Sequence, residues 1–285
     1  MSENELGLFL RLRREAVTPA EVGLPSGARR RTPGLRRSEL ATLAGVSVEY
    51  LTRLEQGRDR HPSAPVLIAL ADALRLTPAQ RVHLLNFAKA GDPKYNCRGG
   101  SGPNRRIRPA VQAMLDQLEP APAAVMNRLS EILAVTDGYR ALFGPIGLLD
   151  GGLPGSYARY VLSDPRARDA YPDWEHKADK VVATLKQGPG RADPHVNALM
   201  DELAAIVGPE FTRRADTLPG LPDTNGVGRL THPEAGPLRL AYETLNLSAD
   251  DDQFLMVYLP ADDATAQALD RLVGRRPGGL RAVAG

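Results

Sequence analysis

The chain has 285 residues, 42% hydrophobic and 25% charged with few aromatics, which suits a globular protein of two domains and excludes a disordered chain or a single small module. One cysteine, Cys97, excludes an internal disulfide and reads as a spare thiol in a linker, and no apolar run approaches the roughly 18 residues of a membrane span. The net charge of +2 conceals an asymmetry: residues 1 to 108 hold 19 Lys and Arg against 10 Asp and Glu, residues 109 to 285 hold 17 against 24, so a basic head sits on an acidic body and a polyanion partner is expected for the head alone.

In chain order, Met1 to Leu12 carries Glu3 and Glu5 and lacks the basic start and apolar length of a signal peptide, so a soluble, cytoplasmic protein with no membrane contact is expected. Leu6, Phe9, Leu10 and Arg13 are spaced for an amphipathic helix over about Glu3 to Ala16. Thr18-Pro19-Ala20-Glu21 has the form of a capping box with proline at the first helical position. A basic loop, Arg29 to Arg37, feeds two short helices separated at Gly45. Pro62 to Leu76 predicts a fourth helix, and Thr77-Pro78-Ala79-Gln80 caps a fifth that runs to about Ala90. The expected organisation is an all-α, five-helix domain over residues 1–92, a Gly/Pro-rich linker over 93–108, an α+β domain over 109–274 and a tail over 275–285. Within the second domain, strands are predicted in 123–135, 228–231, 238–247 and 253–259, with helices at 109–118, 137–143, 157–162, 173–186, 194–207 and 262–273. Strands first, helices between and strands last imply an antiparallel sheet.

The run from Arg37 to Gly57 meets the physical demands of a helix-turn-helix. Small Ala41 admits a close helix, Gly45 suits the left-handed residue that ends the first helix, and Ser47 suits the cap of the second. Leu40, Val46, Leu51 and Leu54 fill the core between the two helices. Val48, Glu49, Tyr50 and Arg53 remain at the end of the second helix that such motifs insert into the major groove.

This run resembles the helix-turn-helix of lambda-repressor/Cro-type (XRE-type) regulators. The fuller string, from Arg30 through Pro33-Gly34-Leu35-Arg36-Arg37 to Glu55-Gln56-Gly57-Arg58, is similar to MmyB-like regulators. The resemblance implies a sequence-specific transcription regulator that binds an operator in double-stranded DNA as a homodimer. It places Ser47, Val48, Glu49, Tyr50 and Arg53 at the DNA, with Arg36, Arg37 and Arg58 near the phosphates. The donor fork of Arg53 matches guanine O6 and N7, while Glu49 either accepts from cytosine N4 or orients Arg53.

For residues 109–274 the resemblance implies a PAS-like ligand-binding domain, a curved antiparallel sheet with helices over one face. The matching stretches are Leu133-Ala134-Val135, Leu162 to Pro165, Ala170 to Trp174, Thr231-His232-Pro233 and Leu240 to Leu245. Thr136 and Asp137 stand where relatives carry tryptophan and asparagine, and Asp223 to Gly228 is acidic where relatives tend to be basic. Alternation puts Leu238, Leu240 and Tyr242 on one face of their strand, and Phe254, Met256 and Tyr258 on one face of its neighbour. Such a face either fills a solid core or lines an apolar cavity for a lipophilic small molecule such as a fatty acid, with Leu133, Val135, Trp174, Leu240, Tyr242, Phe254, Met256 and Tyr258 as the candidate pocket. Trp174 reads either as a lid or as packing for its helix.

The five histidines lack metal-ligand spacing, His232 reads as a hydrogen-bonded structural residue, and phosphate-loop, nucleophile-elbow and dinucleotide patterns are absent. No cofactor, metal or enzymatic activity is expected. The competing reading is an enzyme or small-molecule carrier in the acidic domain, with the helical head as a protein-interaction module.

Overall fold

The computed structural model describes residues 5–25, 33–59, 62–77, 80, 81, 84, 102–186, 193–217, 224–247 and 252–274. Cys97, the Arg29 to Arg31 cluster, most of the expected fifth helix and the tail lie outside them. Two compact units emerge, one built on residues 1–101 with the short segments 186–194 and 215–221, the other on 102–185, 195–214 and 222–285.

The N-terminal unit contains α1 (Glu5–Ala16), a 3-10 turn (Ala20–Val22), α2 (Arg37–Leu43), α3 (Val48–Glu55) and α4 (Ala64–Ala73). Both α1 and α2 pack on α3, and α2 also meets α4. The apolar stripes anticipated from spacing meet in one core of Leu6, Phe9, Leu10, Leu40, Leu51, Leu54, Leu67, Leu70 and Leu74. Leu84 joins it, and the box before the fifth helix is present, with Thr77 N donating to Gln80 Oε1 at 3.0 Å and Gln80 N to Thr77 Oγ1 at 3.4 Å. The box at Thr18 opens a 3-10 turn: the Thr18 hydroxyl donates to the Glu21 carboxylate, as does Thr18 N, and no side-chain cap bond is made to the backbone of the turn.

The C-terminal unit begins before its first helix. Arg105 forms a two-pronged pair with Glu131 (2.9 and 2.7 Å), and Gln253 Nε2 donates to the carbonyls of Asn104 and Arg106. Residues 102–108, the described part of the expected linker, are thereby fastened to the body. The helices α5 (Pro109–Gln117), α6 (Asp137–Phe143), α7 (Tyr157–Ser163), α8 (Arg166–Ala170), α9 (Trp174–Leu185), α10 (Pro194–Val207), α11 (Pro209–Thr217) and α12 (Asp263–Leu272) accompany one sheet. Its strands are β1 (Ala123–Asn127), β2 (Glu131–Val135), β3 (Gly155–Ser156), β4 (Asn225–His232), β5 (Gly236–Asn246) and β6 (Gln253–Pro260), in the order β3-β2-β1-β6-β5-β4, with every pairing antiparallel. This is the α+β layout expected from the element order. The two-residue β3 and the helices α8 and α11 were not anticipated, because each is too short or too polar to show a period.

Alternation gives the sheet two distinct faces. On one, Ala123, Val125 and Leu255 pack against Val111 and Leu115 of α5. Tyr258, three residues beyond Leu255, points the opposite way and meets Tyr139 and Phe143 of α6, with ring centroids 6.2 and 5.0 Å apart respectively. Register places Met256 opposite Ala124, Ala124 opposite Val135, Tyr242 opposite Tyr258, and Leu240 opposite Pro260, so these side chains share the face that α6 covers.

Candidate DNA interface and ligand-facing sheet

The helix-turn-helix is assembled from local rules. Gly45 has φ +65°, Val46 N donates to Ala41 O at 3.0 Å, and Ser47 Oγ accepts from Tyr50 N at 3.0 Å, which closes α2 and caps α3 in three residues. An added methyl at Gly45 meets nothing within 4 Å, so Gly45→Ala costs only the left-handed backbone penalty, about 1–2 kcal/mol, and should lower the urea midpoint accordingly. A midpoint equal to wild type would mean that the turn does not need this conformation.

The string before the motif is equally physical. Gly34 lies where a Cβ would come 2.1 Å from the carbonyl oxygen of Glu15, and Leu35 N donates to Arg14 O at 2.9 Å. Arg14 Nη1 returns a bond to Leu35 O at 2.8 Å, and Arg36 N donates to Glu39 Oε2 at 2.6 Å in the first turn of α2. Glu55, at the end of α3, is the hub beneath this arrangement. Its side chain is 1% exposed and receives Arg14 Nε at 2.6 Å, Arg14 Nη2 at 3.1 Å and Arg37 Nε at 2.7 Å. Burial works against the Arg14 charge, but the bonds to Glu55 outweigh it and hold its pKa above the usual value. Sequence reasoning placed Glu55 inside the motif without assigning it a task, since its partner Arg14 is 41 positions away.

On the outer surface of α3, Val48, Glu49 and Ser47 are exposed and the Arg53 side chain is 43% exposed. Arg53 Nη1 donates to Glu49 Oε1 at 3.3 Å, and its guanidinium lies 5.7 Å from the ring centre of Tyr50. Tyr50 is half-buried with its ring against the core of the head, and burial first, then Asp59, raises its pKa. Arg36 and Arg58 are exposed; Arg37 is held by Glu55 with its outer edge in solvent. The eight expected DNA contacts therefore gather around α3 and the start of α2, with Tyr50 and Arg37 each doubling as structure.

In the second unit, register and alternation put Val135, Leu240, Tyr242, Phe254, Met256 and Tyr258 on the α6-covered face; Leu133, expected there too, is the extra residue of a bulge where the register shifts from Val125 opposite Ala134 to Met126 opposite Ile132, so Ile132 takes its place on that face. Leu240, Tyr242 and Tyr258 are buried. Val135, Phe254 and Met256 are only half-buried, although they face inward. Trp174 is not brought to them: its indole N–H donates to Val161 O at 2.8 Å, Arg168 stacks on one side with its guanidinium 3.5 Å from the ring centre, and Arg214 lies at 5.2 Å. It lines a separate depression of about 220 Å³ with Leu162, Pro165, Ile206 and Glu210, because an indole N–H at a helix start needs an acceptor and finds one on α7. His232 is structural, its Nδ1 accepting from Glu234 N and Ala235 N (3.1 Å each) and its Nε2 lying 3.2 Å from Ala141 O. At the departure from relatives, Thr136 Oγ1 accepts from Ala123 N and Tyr139 N and donates to Ala121 O, anchoring α6 to β1. No cluster of potential metal ligands occurs among the described residues.

A serine-capped helix held outward on a small helical core, joined in one chain to an antiparallel sheet with a partly open inner face, defines a DNA-binding transcription regulator with a ligand-binding domain. A family model described as a helix-turn-helix domain matches residues 5–84, and one described as the MmyB-like transcription regulator ligand binding domain matches residues 107–272. The chain belongs to this MmyB-like family. No curated protein matches it. Among the described residues, no helix is long and apolar enough to cross a membrane.

Proposed function

We propose that the chain is a cytoplasmic regulator that reads an operator as a homodimer, with a small lipophilic ligand of the fatty-acid type held on the inner face of its sheet. The carrying observation is α3, whose cap at Ser47 and exposed Val48, Glu49 and Arg53 form the surface that enters a major groove. Arg53 pairs with guanine O6 and N7, and Glu49 holds its guanidinium in place until it docks. Arg36, Arg37 and Arg58 meet phosphates, Ser47 and Tyr50 lie at the backbone, and Val48 meets a thymine methyl. Two copies are needed because one recognition helix spans one half-site. The two family models matched are those of transcription regulators, and on that ground we assign the chain no catalytic step.

The lipophilic ligand rests on Val135, Phe254 and Met256, apolar side chains on a helix-covered face that stay half-open. Footprinting on the chain's own promoter tests the DNA assignment. Arg53→Ala should weaken binding by about 1–3 kcal/mol and relax the sequence preference at one position of each half-site. Arg58→Ala should weaken binding to all sequences alike and make the salt dependence shallower by about one unit. Unchanged preference in Arg53→Ala would remove the base-readout role.

A further inference from the structure

The chain enters the C-terminal unit along residues 104–106, and the hold on them is polar. Arg105 is more than half exposed, yet both prongs of its guanidinium close on the Glu131 carboxylate, Nε at 2.9 Å and Nη2 at 2.7 Å. Arg106 N donates to Asn104 Oδ1 at 3.0 Å, a local turn on which two carbonyls are taken by one donor: Gln253 Nε2 reaches Asn104 O at 3.2 Å and Arg106 O at 3.0 Å. Ile107, the next residue, leans on the apolar cluster under α5.

The receiving side is prepared for this hold. Glu131 opens β2, Asn127 closes β1 and Gln253 opens β6, and register sets Asn127 directly opposite Gln253. Asn127 is fully buried; its Oδ1 accepts from Leu129 N and Glu131 N, and its Nδ2 donates to Glu131 Oε2 at 2.7 Å, which aims the carboxylate. The bond from Arg105, working against burial and helped by Asn127, holds the Glu131 pKa below the usual carboxylate range. Gln253 is 3% exposed and its Oε1 has no partner, so the two bonds to residues 104 and 106 are what offsets the burial of this amide. An apolar side chain would fill the same place without that cost.

We propose that Arg105, Glu131 and Gln253 determine the spacing of operator half-sites that the regulator accepts, by pinning the chain that carries the DNA-binding head to the end of the β1–β6 pair. The inference rests on the homodimeric operator reading above. The head precedes Asn104 in the chain, so the pin fixes where each head is attached to its body. Unpinned, residues 104–106 add about 10 Å of reach per copy, close to the ~10 Å by which three inserted base pairs separate two half-sites. All three are positioning residues, and none of them is placed at the DNA.

The test uses the full chain and DNA carrying its footprinted promoter site, unaltered or with one to three base pairs inserted between the half-sites. Wild type should lose at least about tenfold in affinity at three inserted base pairs. Arg105→Gln, and separately Glu131→Gln combined with Gln253→Met, should bind the unaltered site within about threefold of wild type and lose less than about threefold on insertion. Trypsin reports the hold without DNA: cleavage after Arg106 should be at least about tenfold faster in both variants, with the melting temperature nearly unchanged. Arg105→Gln alters an exposed side chain, and it decides the outcome should the double variant fold poorly. Equal tolerance of insertions in wild type and variants, despite faster cleavage, would overturn the inference and leave the operator reading standing. Cleavage at the wild-type rate in both variants would overturn the pin itself. A wild type that protects no promoter site would overturn the operator reading, and the spacing role with it.

Discussion

Glu55→Ala is expected to destabilise the N-terminal unit by about 3–5 kcal/mol, most of the stability of a small helical domain. The carboxylate is 1% exposed and the Arg14 side chain 9%, so removing Glu55 leaves a guanidinium stranded where water reaches it poorly. Arg14 would retain its bond to Leu35 O and only the longer contact, 3.4 Å, to the half-exposed Glu15 carboxylate, and Arg37 would lose the contact that aims it. Urea unfolding followed by helical circular dichroism measures the loss. The paired replacement Arg14→Met with Glu55→Leu should recover most of it, because apolar groups of similar volume remove both charges at once. A Glu55→Ala midpoint within experimental error of wild type would show that the buried triad carries no net stability. The exposed pair Arg53–Glu49 makes the contrast: the Glu49 side chain is 85% exposed, and Glu49→Ala should leave stability within a few tenths of a kcal/mol while altering only DNA recognition.

That contrast separates what periodicity reveals from what it conceals. The helix pair around Gly45, the cap at Ser47 and the leucine core are local or period-driven, so they were legible from residues alone. Strand alternation likewise grouped Leu240 with Tyr242, and Phe254 with Met256 and Tyr258, and the register of β1, β5 and β6 joins Val135 to the same face. The triad of Arg14, Arg37 and Glu55 was hidden because charged residues in a helix read as solvent-facing unless their partner is known, and here the partners lie on three different elements. Of the two readings open for Trp174, lid or helix packing, the structure bears out packing, away from the pocket residues it was grouped with. A lone tryptophan beside a proline signals an anchor but not which surface it anchors, and that choice was made by a carbonyl on α7.

The tyrosines were invisible as a group on similar grounds. Tyr139 and Tyr157 sit in α6 and α7, and Tyr171 follows the last residue of α8, where neighbouring apolar positions identify them only as core. What sets Tyr139 apart is a buried hydroxyl with no acceptor, and a deficit of hydrogen bonds has no signature in a sequence. The close approach of Gly34 to Glu15 is a further instance: a glycine in a Pro-Gly loop reads as a turn, whereas the backbone contact that demands it belongs to α1.

The second large effect is alkaline. Burial raises Tyr139, Tyr171 and Tyr258 well above their normal range, and pushes Tyr160 up to about 12. For an acid whose folded pKa exceeds its unfolded value of about 10, the unfolded chain releases the proton first as pH rises. The stabilisation from keeping these phenols neutral is therefore complete below pH ~10 and is withdrawn above it, at a limiting slope of about 1.4 kcal/mol per pH unit for each phenol. Several acting together exhaust the stability of an ordinary domain within about two pH units above that point. Phenolate absorbance and near-ultraviolet circular dichroism should consequently change in one cooperative step. The double variant Tyr139→Phe, Tyr171→Phe should shift that step to higher pH and make it shallower, because two of the linked protons are gone. Smooth titration of Tyr139, Tyr171 and Tyr258 with the near-ultraviolet signal intact would mean that water or a counter-ion reaches these phenols freely and that their burial does not hold in solution.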